Sequence, residues 1–579
     1  MLRGFRWQVL ALLTSIIIFS TVLGMRFLDT TEVEPTPEPT LTTAPTETVA
    51  PTFTPQPTAI SQTTSNDAEV ETIFTEGIVG NVQRLNPLLI STQAERDITS
   101  LIYDGLVQVN EFGEPAPDLA ERWAVSRDGY DYTFQLRQDI LWQDGIAFTA
   151  NDVVFTFRLL ADPDFPMSEI SAFWQTVEVE KLGDYLVRFR LAQPLASFPS
   201  LLTTGILPQH ALIGTTAETI INHPFNLTPV GTGAYQLAGL RSSNGQQIEA
   251  VDLVLAPTFQ QRQEGQSGYS LDRVRFRLFG TMDAAVTAFT NGDIHALASR
   301  SMEERSTLLS SGSANIYTQV EPTVGMLIFN WNEGEDTRFF SDLRVRTALQ
   351  LSLNRNNPVE SVLFNQAIVA DSPLRPDSWA YNSALSYPVT NSARAFELFE
   401  SASILLPEDY DAGEFIYRFS ILTPDNPQLT TIAQNIANQW SQYNLDVTVE
   451  SVSSDVYIER LASGDFDTAI VEYVLGVDPD VFAYWHADQY ETGLNYGAIT
   501  DSRISEILER GRQTVSNLSR VDIYEDFQRE FINQAIAIPL YYPLYTYAVD
   551  SDIDGVQLGF ISSPEDRFRT LQDWTFSTD

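Results

Sequence analysis

Residues Glu114 to Phe157 constrain the fold more than any other stretch of this chain: EPAPDLAERWAVSRDGYDYTFQLRQDILWQDGIAFTANDVVFTF. A helix-like apolar piece ends at Trp123 and runs into a polar turn at Ser126–Gly129. Tyr130, Tyr132, Phe134 and Leu136 then alternate with polar residues, the period of a half-buried strand. Leu141-Trp142 and the turn pair Asp144-Gly145 follow, and Thr149 stands where a helix N-cap belongs, ahead of Asn151–Leu160. Strand and helix periods thus succeed each other within a few dozen residues, which argues for a mixed α/β domain.

The rest of the chain agrees. Strand-like runs fall at Val70–Glu76, Tyr185–Leu191, Val251–Leu255, Arg273–Leu278, Ile316–Val320 and Asp446–Val452. Helix-like runs fall at Asp283–Thr290, Asp342–Leu353, Ser392–Glu400, Gln428–Gln442, Ser502–Thr514 and Arg520–Ala535. No repeat of 20–50 residues is present. At 579 residues, two to four structural units are expected.

Charge and composition exclude several functions. The chain carries 76 acidic against 34 basic residues, a net charge of −42, and Lys181 is its one lysine. Such a surface repels nucleic acid and anionic lipid. With no cysteine there is no disulfide, thiol catalysis or cysteine metal site, and no lipid-modified cysteine. His210, His223, His295 and His486 are scattered without helix-face metal spacing, so no metal or other cofactor is expected. Asp550, Asp552 and Asp554 before Gly555 resemble the start of a calcium loop, but its twelfth position is Ile561 where a bidentate Glu is needed; an acidic turn is the plainer reading.

The first residues form a separate region. Arg3 and Arg6 precede an uncharged, mostly apolar run from Trp7 to Met25, about enough to cross a bilayer core of roughly 30 Å. A retained anchor is expected, with a cleaved signal peptide as the alternative. The positive start places everything after Arg26 outside the cytoplasm. Residues 29–66 carry seven prolines between Pro35 and Pro57 and read as an extended spacer or a disordered tether.

The order and spacing of the 114–157 segment closely resemble the family 5 solute-binding proteins of ABC importers, the peptide- and nickel-binding group. Further matches run in the same order. They are Leu85-Asn86-Pro87, Tyr103-Asp104-Gly105-Leu106-Val107, Pro229-Val230-Gly231-Thr232-Gly233-Ala234-Tyr235, and the helix stop Phe289-Thr290-Asn291-Gly292-Asp293. Asn330, the Asp342–Leu349 helix start, Asp478-Pro479-Asp480 and Asn495-Tyr496 continue the series. The resemblance implies a two-lobed, periplasmic-binding-protein-like α/β fold of type II with a hinge between the lobes. It implies lobe I over 67–100, 225–322 and 536–579, an inserted subdomain over 101–224, and lobe II over 323–535. Gly231 and Gly233 read as turn devices; a phosphate loop would need a following Lys and longer glycine spacing. Asp342 reads as a helix N-cap, with Arg344 and Arg346 in salt bridges.

For the ligand, the resemblance points to the neighbourhood of its anchors: Asn330, Trp331, Glu472, Tyr473, Asp478, Trp485, Asn495, Tyr496 and Tyr541, with Tyr542 beside them. The aromatics would line a cleft or pack the core. Asp478 would touch ligand or cap a helix. Leu475 stands where peptide-binding relatives place an Asp for the ligand's amino terminus, and Leu422–Gln428 lacks the Arg that in some relatives holds the carboxylate. Capture of free peptide termini is therefore not expected to be the main handle. The implied role is the extracellular binding component of an ABC importer, taking up an oligopeptide or peptide-like solute as a monomer and handing it to permease subunits. Alternatives are an oligosaccharide or other non-peptide solute, or a sensor module. Paired carboxylates such as Asp478 and Asp480 would suit acid–base catalysis, but no nucleophile elbow, metal cluster or histidine base accompanies them, so no enzyme is expected.

Overall fold

The computed structural model describes residues 73–577, except 243–246, 263–267, 300–301, 311, 313, 333–337, 405–412 and 492. The apolar run Trp7–Met25 and the proline-rich spacer lie outside the described residues. Among the described residues no helix is long and apolar enough to cross a membrane.

Two halves share one set of hydrogen-bonded strands. In the first half, Ile73–Val79 pairs in parallel with Arg273–Phe279 and with Ala296–Ser299, and Ala250–Leu255 and Tyr235–Arg241 extend the sheet antiparallel. In the second half, Tyr417–Pro424 pairs in parallel with Leu445–Val452 and Thr468–Val474, and Thr468–Val474 pairs antiparallel with Thr323–Phe329. These buried central strands are nearly continuous apolar runs, such as the fully buried TVGMLIF of Thr323–Phe329.

One long strand, Ala537–Asp550, joins the halves. Its start pairs with Thr323–Phe329, where Gly325 faces Tyr541 and Ile328 faces Ala537. Its end pairs with Ala296–Ser299 and Ala314–Val320. Between them Pro543 lies in the strand, and its carbonyl accepts from the Glu321 N–H at 2.9 Å. A proline cannot donate to a ladder, so this is where the strand changes partners.

A separate four-stranded antiparallel sheet is formed by Ala120–Val125, Asp131–Leu136, Leu186–Leu191 and Val177–Gly183. Tyr132, Phe134 and Leu136 point inward, as their alternation requires. Trp123 belongs to the strand Ala120–Val125, not to a helix. It sits opposite Phe134 and stacks on it, ring centroids 5.8 Å apart, and this cross-strand pair outweighs local helix preference. Thr149 caps the helix Ala150–Ala161 in a reciprocal box with Asp152.

Two other expectations need correction. Neither Gly231 nor Gly233 has a positive φ. Both are glycine because the helix end crosses them: a Cβ on Gly231 would lie 1.8 Å from the Ile102 carbonyl oxygen, and one on Gly233 2.6 Å from that of Leu101. The close neighbour is the chain's own backbone, which leaves no phosphate cradle. Asp342 does cap its helix and pairs with Arg344. Arg346 forms no ion pair among the described residues; it is buried, donates to the carbonyls of Phe340, Ser341 and Gln534, and lies 3.7 Å over the Trp331 ring.

The largest core runs from Phe74 and Ile102 through Phe134, Phe157 and Phe189 to Tyr547 and Trp574, so the small sheet is packed onto the first half. Two further cores fill the second half, one on each side of its sheet. In the first half, Arg567 is fully buried and donates to both Glu76 (Nε–Oε1 3.0 Å) and Asp97 (Nη2–Oδ2 2.7 Å), while the Tyr547 hydroxyl donates to Glu76 at 2.7 Å. Burial pushes the Glu76 carboxyl up to about 6, against the pull of Arg567.

Candidate ligand-binding site

A cavity of about 590 Å³ opens where the two halves and the inserted region meet. Its wall is assembled from separate segments. Pro87 to Tyr103 supply the first helix and its approach, Asp104 to Val109 and Ser197 to Gly205 come from the inserted region, Glu321–Thr323, Leu374–Ser378 and Val474–Tyr484 from the second half, and Ile561–Arg569 from the C-terminal segment. The volume is that of a small-molecule or short-chain solute site.

The segment Val474–Tyr484 forms one face. The Asp478 carboxylate receives two hydrogen bonds from Arg520, Nη2–Oδ1 at 2.5 Å and Nη1–Oδ2 at 2.7 Å, a bidentate pair with both partners nearly buried. This neighbouring charge raises the Arg520 guanidinium despite its burial. Asp480 takes a hydrogen bond from Arg512 Nε at 2.7 Å and accepts the Phe482 N–H at 3.1 Å. Asp478 caps no helix: the short helix Phe482–Trp485 has Val481 at its N-cap without a side-chain cap, and Asp480 meets only its first N–H. Leu475 also lines the cavity and presents no charge.

Of the nine expected ligand residues, Asp478 lines this cavity and the other eight do not. Asn330 is buried and spends its side chain on the loop after Ser463, donating to the carbonyls of Gly464 (2.9 Å) and Phe466 (2.8 Å). Asn495 is buried and ties the carbonyls of His486 and Ile499 together. Trp331 packs under Arg346, and Tyr496 against the second-half core. Tyr473 stacks on Tyr484 at 4.3 Å and meets Trp485 at 5.3 Å, and Trp485 meets Phe531 at 5.0 Å. The Tyr541 ring covers Gly325, where a Cβ would lie 2.4 Å from it, and its hydroxyl donates to Glu472 at 3.0 Å. Tyr542 donates to the Ser372 and Leu374 carbonyls at 2.7 Å. These groups form the floor behind the wall. Tyr484 is the aromatic of this cluster that reaches the cavity.

Beyond Asp478 and Asp480, the sequence did not single out the arginines that line it or their acidic partners. Arg375 is held by Asp377, by the Ile561 carbonyl at 2.6 Å and by the Phe560 ring at 4.0 Å. Arg569 pairs with Asp566 at 2.8 Å and donates to the Phe560 carbonyl at 2.7 Å. Arg96 and Glu565 complete the set on the first-half side, and burial raises the Glu565 carboxyl while Arg96 opposes the shift. Only one helical signal was available for these: Arg96, Thr99, Ser100 and Tyr103 recur at i, i+3, i+4 and i+7.

No group of three or more histidine, aspartate or glutamate side chains among the described residues is arranged to hold a metal ion. Asp550 and Asp554 are engaged elsewhere: Asp550 accepts the Asp552 N–H at 3.0 Å and Asp554 the Ser577 hydroxyl at 2.7 Å.

Two halves that share a crossing strand and enclose a cavity between them define a two-lobed solute-binding protein. Residues 114–493 match the family described as "Bacterial extracellular solute-binding proteins, family 5 Middle", and the chain belongs to that family. It is similar to the "Oligopeptide-binding protein AppA" of Bacillus subtilis (strain 168), with 24% identity over 494 residues, 83% of this chain and 88% of the relative. It is similar to the "Dipeptide-binding protein" of Escherichia coli (strain K12), with 23% identity over 514 residues, 82% and 90% of the two chains. The solved structure of Bacillus subtilis AppA in complex with a nonapeptide superposes with a TM-score of 0.63 at 22% identity, covering 88% of this chain and 99% of that one. The fold is thus the two-lobed, periplasmic-binding-protein-like α/β fold.

Proposed function

We propose that this protein is the extracellular substrate-binding component of an ABC importer, and that it captures a peptide or peptide-like solute in the cavity between its lobes and delivers it to permease subunits. One observation carries the reading: a family match over residues 114–493 in a chain whose cavity is walled by both halves. The names of the relatives, oligopeptide- and dipeptide-binding proteins, favour peptides over sugars. The lobes are discontinuous in this reading, with 67–100, 225–322 and 536–579 in the first, 101–224 inserted, and 323–535 in the second. They close by bending where Val320–Thr323 and Tyr541–Tyr545 cross side by side. Asp478 and Tyr484 meet the ligand, while Asn330, Trp331, Glu472, Tyr473, Trp485, Asn495, Tyr496 and Tyr541 hold the wall in place. Residues 7–25 tether the protein to the membrane, residues 29–66 space it from the surface, and the bound solute leaves chemically unchanged.

The test is native mass spectrometry of the purified full-length chain, followed by isothermal titration with the compounds released. Bound peptides, and compaction in small-angle scattering when they are added back, are expected. Steady conversion of a bound compound into product would defeat the reading.

A further inference from the structure

The cavity wall carries seven carboxylates, Asp104, Asp118, Glu321, Asp478, Asp480, Glu565 and Asp566, against three guanidiniums, Arg96, Arg375 and Arg569. Two of those three cations are held in ion pairs, although Arg569 Nη2 meets no hydrogen-bond partner. Arg375 is clamped by Asp377, Ile561 and Phe560, and Arg569 by Asp566 and Phe560. Arg96 differs. Its Nε is buried and meets no hydrogen-bond partner, and its charge acts on the Glu565 carboxyl without an ion pair among the described residues. A guanidinium offers five donors in a rigid fork, and a buried donor left unmade is costly. The residue as a whole is only half-buried and lines the cavity, where an acceptor can meet its fork.

The placement suits that role. Arg96, Thr99 and Ser100 share one face of the helix Gln93–Ile102, and Tyr103 follows at the next turn; all four line the cavity. The helix is fixed at its start by the Thr92–Glu95 capping box, so the guanidinium is presented from a rigid element. The opposite wall offers no free cation: Arg520 and Arg512 are spent on Asp478 and Asp480.

Resting on the peptide reading above, we infer that Arg96 is a specificity residue that seats a carboxylate of the ligand, its terminal carboxylate in the case of a peptide. A ligand anion is then held from the first lobe's helix, which answers the absence of an arginine in Leu422–Gln428 on the second lobe. The planar fork matches a carboxylate bidentately, which a lysine ammonium would not.

The experiment compares two random-sequence pools of di- to pentapeptides, one with free carboxylates and one amidated, by titration into the full-length chain. The wild type is expected to bind the free pool about ten- to a hundred-fold more tightly than the amidated pool, the worth of a charge-assisted hydrogen bond. Arg96→Gln should remove that difference by weakening the free pool alone, and Arg96→Lys should restore part of it. Equal binding of both pools by the wild type overturns the assignment without reference to any variant. So does a difference that survives in Arg96→Gln, or an equal loss of both pools, which would mean that Arg96 acts only on Glu565. Binding of neither pool overturns the peptide reading and the assignment with it.

Discussion

Two ion clusters, one in each half, solve the same problem differently. In the second half, Arg520 faces Asp478 alone, one cation to one anion, and both carboxylate oxygens are satisfied. In the first half, Arg567 faces two carboxylates, Glu76 and Asp97, with the Tyr547 hydroxyl as a neutral third donor. The unbalanced cluster holds two carboxylates to one guanidinium in a dry core, where burial pushes the Glu76 carboxyl up to about 6, with Arg567 opposing the rise and Asp97 adding to it. The lesson is that full burial raises a carboxyl, and a cation shared between two carboxylates does not cancel the rise.

The largest expected effect comes from removing a cation. Arg567→Met leaves Glu76 and Asp97, both essentially inaccessible, without a cation, and should cost roughly 3–5 kcal/mol in urea unfolding. Arg520→Met should cost less, because Asp478 borders the cavity and can draw on water there. The double variant Asp478→Asn/Arg520→Met should recover most of that loss. A loss from Arg520→Met equal to or above that from Arg567→Met would break the comparison.

A smaller effect should appear with pH. The Glu76 carboxyl is raised from 4.5 to about 6 by folding. The folded state therefore binds its proton more tightly, so this group's contribution is fully present below pH 4.5 and is lost as pH rises through about 6. The shift corresponds to about 2 kcal/mol. Urea midpoints of the wild type and Glu76→Gln, measured between pH 4 and 7, should diverge by that amount as pH rises, with the wild type losing more. Parallel curves would show that Glu76 does not titrate in this window.

The smallest effect is the control. Arg394 and Glu397 form an ion pair at 2.8 Å on an exposed helix face, with side chains 55% and 65% accessible. Arg394→Ala should change stability by no more than about 0.5 kcal/mol, and less in high salt.

Much of the fold was legible in the sequence. Alternation placed the strand Asp131–Leu136, and Thr149 and Asp342 marked helix starts. The misreading of Trp123 as helical came from a short apolar run, where local preference cannot register a cross-strand partner, Phe134, further along the chain. Gly231 was identified as special, but its reason, the passing backbone of Ile102, is a tertiary fact. The site was far less legible. Aromatics next to recognisable motifs, such as Tyr473 and Trp485, stabilise the wall from behind, because proximity along the chain does not say which face of a strand or turn a ring takes. The lining itself gathers from distant segments, and Arg375, in an otherwise unremarked stretch, gave no local signal at all.

The long strand Ala537–Asp550 also sets the order of events when the chain is made. Thr323–Phe329 and Ala296–Ser299 wait more than 200 residues for their shared partner, and the Glu76–Tyr547 hydrogen bond spans 471 residues of chain. Neither lobe can complete its sheet until residues 537–550 have left the ribosome. Contacts this remote in sequence slow folding and keep the nascent chain loose for long after its first half has been synthesised. For a protein bound for the far side of a membrane, that delay is useful: a chain that cannot lock its domains early is still thin enough to be threaded through a narrow export channel.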